Sequence, residues 1–184
     1  MNVLLTGERQ AGKTTVCEQV VELARGLGYQ PAGLLSPALL GEDGFPVAYQ
    51  ALMVADGEGR LLAQADNDLG GPRTARYSFD ADALSWAVAR LREAISQGCD
   101  LLIVDEIGPL ELEQGKGLAP ILCDLSAANR LPPLLFVVRP GLVGQLHKWL
   151  PGIPFRTFTV TQGNRQALAR AIIEELFAEH DSSG

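Results

Sequence analysis

No run of five or more basic residues occurs in this chain of 184, and 22 acidic side chains outnumber 15 basic ones, for a formal charge of −7. A surface that tracks nucleic-acid phosphates usually leaves a basic footprint, so DNA or RNA binding is not expected. Cysteine is scarce too: Cys17, Cys99 and Cys123 are scattered, odd in number and free of any C-x-x-C pair. That pattern argues against a disulfide framework and for reduced thiols in a cytoplasmic protein. No apolar stretch approaches the ~20 residues of a membrane span. Met1 leads straight into a strand instead of a charged-then-apolar leader, so no membrane or export role is expected. His147 and His180 have no metal-ligand spacing, and neither internal repeat nor interdomain linker is evident.

What is present is ordinary in bulk and specific in detail. With hydrophobic residues at 47% and charged ones at 20%, residues 1–184 suit one globular domain with a substantial core. Val16, Val20, Leu23 and Leu27 form one helical stripe, with stop signals at Gly26 and Gly28. Residues 32–65 read as an inserted β-meander, with apolar runs at 32–40, 46–54 and 60–64 between Gly/Asp-rich turns. Residues 66–78 read as a long, functional loop. Asp80 is placed to cap a helix burying Leu84, Val88, Leu91 and Ile95 that stops at Gly98. Trp86 and Trp149 read as packing residues.

Residues 101–104 form an apolar strand of the parallel-sheet kind. Helix 118–128, strand 134–138, helix 141–150, strand 156–161 and helix 164–179 follow. The last helix carries Leu168, Ile172, Leu176 and Phe177 on one side, and the tail 181–184 is expected to be disordered. Strands alternating with helices predict an α/β fold, a mostly parallel sheet between helices.

Gly7-Glu8-Arg9-Gln10-Ala11-Gly12-Lys13-Thr14 fits G-x-x-x-x-G-K-[ST] at every fixed position. It follows the apolar run Val3-Leu4-Leu5 and opens the first helical segment, the context that this chemistry needs. Backbone N–H groups of such a P-loop converge on phosphate oxygens, and the helix dipole favours an anion there. Glycine at Gly7 and Gly12 keeps side chains out of the backbone's approach. Lys13 is expected at the β- and γ-phosphates and the Thr14 hydroxyl at Mg²⁺, with Thr15 completing the phosphate-binding turn.

The second motif is Leu101-Leu102-Ile103-Val104-Asp105-Glu106. A buried parallel strand delivers its last residues to the carboxyl edge of the sheet, where α/β proteins bind ligands. Asp105 is therefore expected to face Mg²⁺, and Glu106 to orient or deprotonate a water for attack on the γ-phosphorus. A nucleotide kinase needs no such second acid, so the pair favours hydrolysis. Among the arginines, Arg139 emerges at the same edge and is favoured for charge neutralisation over Arg9, Arg165, Arg73 and Arg76. Asn164 and Arg165 could flank the base or simply begin a helix.

With both motifs in place, the chain resembles a family of small P-loop nucleoside-triphosphatases that includes thermophilic nucleotide phosphohydrolases and the cancer-related nucleoside-triphosphatase. The residues carrying the likeness are Val104-Asp105-Glu106-Ile107-Gly108-Pro109-Leu110-Glu111-Leu112, Arg76-Tyr77-Ser78-Phe79 and Thr161-Gln162-Gly163-Asn164-Arg165. The resemblance implies Mg²⁺-dependent hydrolysis of ATP, GTP and other triphosphates with loose base selectivity. It also implies a sheet in which another strand separates the two motif strands. Departures are Arg9-Gln10-Ala11 in the loop, Gly33-Leu34-Leu35-Ser36-Pro37 in the meander, and Pro109 where a basic residue is usual. Two alternatives stand beside this reading. One is a phosphotransferase whose 32–78 region grips a small anionic acceptor through Arg73, Arg76 and Tyr77. The other is a nucleotide-gated module that binds a protein partner.

Overall fold

The computed structural model of the chain describes residues 1–177. In chain order the elements are β1 (Asn2–Thr6), α1 (Lys13–Gly26), β2 (Pro31–Leu35), β3 (Ala38–Leu40), β4 (Pro46–Met53), β5 (Gly59–Ala65), β6 (Gly70–Arg73) and β7 (Tyr77–Asp80). There follow α2 (Ala81–Gln97), β8 (Leu101–Ile107), α3 (Pro109–Leu112), α4 (Ala119–Ala127), β9 (Leu134–Val138), α5 (Val143–Trp149), β10 (Phe155–Thr159) and α6 (Arg165–Phe177). Among the described residues ten strands join one sheet in the order β10-β1-β9-β8-β2-β4-β5-β7-β6, with β3 beside β4. Pairing from β10 to β2 is parallel, and from β2 onward antiparallel.

Side chains alternate across a strand, so each parallel strand feeds two cores. Val3, Leu5, Ile103, Leu135 and Val137 pack with α1 and α6. Leu4, Leu102, Val104, Leu134 and Phe136 face α2, α4 and α5. Strands buried on both faces read as unbroken apolar runs, which is why 101–104 and 134–138 were recognisable. The intervening strand implied by the family likeness is β9, between β1 and β8. In α2 the Asp80 carboxylate accepts the Ala83 N–H at 2.8 Å, and Leu84, Val88 and Leu91 are buried while Ile95 is half-buried. Trp86 and Trp149 pack against the same core, and the Trp149 indole donates to the Leu112 carbonyl at 3.3 Å.

The structure corrects several expectations. The buried face of α1 is Val16, Cys17, Val20, Val21 and Ala24, whereas Leu23 and Leu27 are exposed. That arc packs in one cluster with Leu168, Ala169, Ile172, Ile173 and Leu176 of α6, and the two leucines fall outside it. The expected strand 32–40 breaks into β2 and β3, because Pro37 cannot donate to a ladder and restricts Ser36 before it. The expected loop 66–78 instead contains β6 and the start of β7. Pro72 is tolerated there because β6 is the outermost strand. The short helix α3 was not anticipated, and Pro109 occupies its first turn, where a missing N–H costs nothing. The tail 181–184 lies outside the described residues.

Gly33 sits opposite Ile103 with φ +131°, and a Cβ there would overlap the Ile103 carbonyl. Gly33→Ala is expected to force β2 from β8 and to destabilise the fold by about 2 kcal/mol or more. Urea unfolding measures this, and an unchanged midpoint would show that the strands relax around the methyl group.

Candidate active site

The loop after β1 is shaped by left-handed backbone at Gln10 (φ 59°) and Gly12 (φ 95°). A Cβ on Gly7 would lie 2.8 Å from the Val160 carbonyl oxygen, so glycine lets the loop pass the chain leaving β10. Lys13 opens α1 and its side chain folds back into the loop. The buried ammonium donates to the carbonyls of Gly7 (2.9 Å) and Glu8 (2.8 Å).

At the end of β8 the register against β9 slips: Val104 faces Phe136 and Ile107 faces Val138, leaving one residue extra on β8. Successive residues of a regular strand point to opposite faces. The bulge re-aims them, and Asp105 and Glu106 line one cavity together with Lys13 and Thr14. Asp105 is buried, faces the Thr14 hydroxyl across the cavity and accepts the Ser36 N–H at 3.3 Å. Burial pushes its carboxyl up to about 7 with help from the Glu106 charge, against the opposing pull of Thr14, Ser36 and Lys13. Glu106 is more open, and the Arg139 guanidinium donates to it through Nε at 2.6 Å. The cavity measures about 350 Å³ and runs from the P-loop to the β3–β4 hairpin.

Of the residues named from sequence, Arg9, Gln10, Gly12, Lys13, Thr14, Asp105, Glu106, Arg139, Arg76 and Tyr77 line this cavity. Glu8 contributes a carbonyl to Lys13, Ala11 is the buried member of the loop's middle, and Thr15 is exposed on the first turn of α1. Arg165 lies beside the loop, where a Cβ on Gly12 would meet its Cδ at 3.4 Å. The Asn164 amide is committed to its own turn, accepting from Thr161 N–H at 2.8 Å and donating to the Thr159 carbonyl at 2.9 Å. Arg73 stands apart, paired with Asp68 at 3.5 Å on the surface.

Sequence reasoning missed Ser36, Tyr49 and Glu111. Ser36 was findable, because it follows a parallel strand at the same carboxyl edge. Tyr49 was not, because only the hairpin's fold-back brings it to the cavity. Glu111 is buried, accepts the N–H groups of Gly108 (2.9 Å) and Leu118 (3.2 Å), and is pushed up to about 7, by burial first. It ties down the segment after the acidic pair.

Asp105 carries its ordinary value of 3.8 when unfolded and about 7 when folded without a cation. Between those values the unfolded chain binds fewer protons, so stability present below about pH 4 is lost as pH rises through about 7. Glu111, raised from 4.5 to about 7, acts in the same direction. Urea titrations of the cation-free protein at pH 5 and 8 are expected to show lower stability at pH 8, with a smaller drop in Asp105→Asn. Equal drops in both proteins would refute the assignment to Asp105.

A phosphate-cradling loop between strand and helix, with an acid-bearing strand one removed from it, defines a P-loop protein of the additional-strand type. A sequence profile of the family described as NTPase matches residues 2–173, and the chain belongs to that family. It is 32% identical over 179 residues to the nucleoside-triphosphatase THEP1 of Methanopyrus kandleri, covering 95% of this chain and 94% of that protein. It is 36% identical over 112 residues to the protein of the same name from Ignicoccus hospitalis, covering 61% of each. Among solved structures, THEP1 from Aquifex aeolicus superposes with a TM-score of 0.72 at 19% identity, covering 96% of this chain and 99% of that one. A human cancer-related nucleoside triphosphatase superposes with 0.71 at 21% identity, covering 98% and 99%. At those identities the structures speak for the fold alone.

Proposed function

We propose that the protein hydrolyses ATP, GTP and other nucleoside triphosphates to the diphosphate and phosphate, with Mg²⁺ as cofactor. The observation that supports this most is the acidic pair beside the P-loop, Asp105 against Thr14 and Glu106 held by Arg139. A buried carboxylate next to a hydroxyl is an oxygen donor set that suits a hard divalent cation, and a cation there would relieve the cost of the Asp105 charge. Thr14 and Asp105 would hold Mg²⁺, which supplies charge neutralisation at the β- and γ-phosphates when bound.

The remaining roles fall to the chain itself. Loop amides from Gly7 to Gly12 and the Lys13 ammonium bind the phosphates. Glu106 accepts the proton of the attacking water, and Arg139 fixes Glu106 through Nε while its other N–H groups are available to a phosphate oxygen. Arg165, beside Gly12, is the candidate neighbour of the base, and Asn164 holds the turn that presents it. The charge of −7 and the scattered cysteines favour a cytoplasmic enzyme of small nucleotides, acting on neither nucleic acid nor membrane. Among the described residues no helix is long and apolar enough to cross a membrane.

Phosphate release from ATP, GTP, CTP and UTP tests the reading. Release from several of them is expected with Mg²⁺, none with a chelator in excess, and recovery when Mg²⁺ is restored. Full activity under chelation would remove the cation from the mechanism. Nucleotide binding without release would favour a partner-regulated module.

A further inference from the structure

One wall of the cavity serves none of these roles. Lys13 and Thr14 follow β1, and Asp105 and Glu106 end β8, two places along the sheet. At about 4.8 Å per strand that span is about 10 Å. A triphosphate whose γ-phosphate faces Glu106 and whose chain follows the loop past Gly12, beside Arg165, would carry its base toward the β10 side. In the opposite direction β4 stands two strands beyond β8. It pairs with β2 only through Leu52 and Met53, so its first half, with β3 alongside, overhangs the carboxyl edge. Phe45, Pro46 and Tyr49 from this overhang, with Arg76 and Tyr77, close the cavity facing the Glu106 end.

The wall sets an arginine among aromatic rings. Tyr49 and Tyr77 meet edge to face at 5.2 Å. The Tyr77 hydroxyl and one Arg76 Nη2 both donate to the Pro46 carbonyl, at 3.0 and 3.1 Å, which anchors the hairpin and leaves further guanidinium N–H groups unspent. Among the described residues neither Arg76 nor Arg9, which lines the same cavity, has an acidic partner. The Tyr49 hydroxyl is pushed up to about 12 by burial first, then by Tyr77 and Glu106, so it stays protonated and adds no negative charge to the wall. Unpaired guanidinium groups beside aromatic faces suit a planar molecule bearing a phosphate.

We propose that this wall is a second ligand subsite, filled together with the triphosphate, for an aromatic phosphate of the nucleoside monophosphate class. Arg9 and Arg76 take its phosphate, and Tyr49 and Phe45 take its ring. The assignment rests on the triphosphate lying in the P-loop as proposed above.

Calorimetry tests it. The protein is first saturated with Mg²⁺ and the β,γ-imido analogue of ATP, then titrated with AMP and with GMP. Saturable binding of at least one of them to the loaded protein is expected. Arg76→Ala should weaken it at least about tenfold. Arg76→Lys, which keeps the charge and a donor for Pro46, should weaken it less. No binding to the loaded protein, displacement of the analogue by the monophosphate, or equal affinity in Arg76→Ala would each overturn the subsite. Failure of the analogue itself to bind in the first titration would instead defeat the parent reading, and the subsite with it.

Discussion

Glu106→Gln is expected to bind triphosphate within about threefold of the parent affinity and to lose about 10²- to 10⁴-fold in turnover, the range for removing a general base. Glutamine has the same shape, and its carbonyl oxygen can still accept the Arg139 Nε–H that Glu106 receives at 2.6 Å. What it cannot do is take a proton from water. The substitution thus separates position from basicity, and the carboxylate lies outside the set Lys13, Thr14 and Asp105 that is assigned to phosphate and cation. Turnover and affinity are measured separately, by phosphate release and by calorimetry. Unchanged turnover would remove Glu106 from the mechanism.

Lys13→Ala is expected to reduce triphosphate affinity by about 100-fold or more, since charge-assisted hydrogen bonds are worth about 1.5–3 kcal/mol each. The Lys13 ammonium is the cation at the centre of the loop, buried and donating to the carbonyls of Gly7 and Glu8. Its removal takes away both the phosphate's counter-charge and the bonds that curl the loop. Lys13→Arg should not restore the wild-type affinity, because a broad planar guanidinium does not fit a pocket shaped for a point charge. An affinity in Lys13→Ala within threefold of the parent would place the phosphates elsewhere.

Much of this site was legible because its chemistry is local in sequence. Gly7 to Thr14 is a contiguous loop, and Asp105 and Glu106 follow an apolar run whose burial is plain from four successive residues. Arg139 was reachable by the rule that parallel strands deliver their last residues to one edge. Long-range pairing hid the rest. Nothing in Gly70-Gly71-Pro72-Arg73 has a strand's period, yet backbone bonds to β7 make it one. Leu23 and Leu27 fit a helical stripe as well as Val16 and Val20 do. They lie outside because α6, distant in sequence, decides which arc of α1 is covered. The same holds for Tyr49: the meander was readable as strands, but its overhang above the carboxyl edge depends on β4 pairing with β2 through only its last residues. Ser36 shows the two cases meeting. Pro37 ends the ladder by local chemistry, and the N–H of Ser36 then reaches a carboxylate 69 positions away.

The most direct test of the account is phosphate release from Mg²⁺–ATP in ¹⁸O-enriched water, run for the wild type beside Glu106→Gln. The account predicts one ¹⁸O atom in each released phosphate, none in ADP, and a release rate that collapses in the variant. Label in ADP, or label in phosphate released equally fast by both proteins, would contradict water activation by Glu106 at the γ-phosphorus.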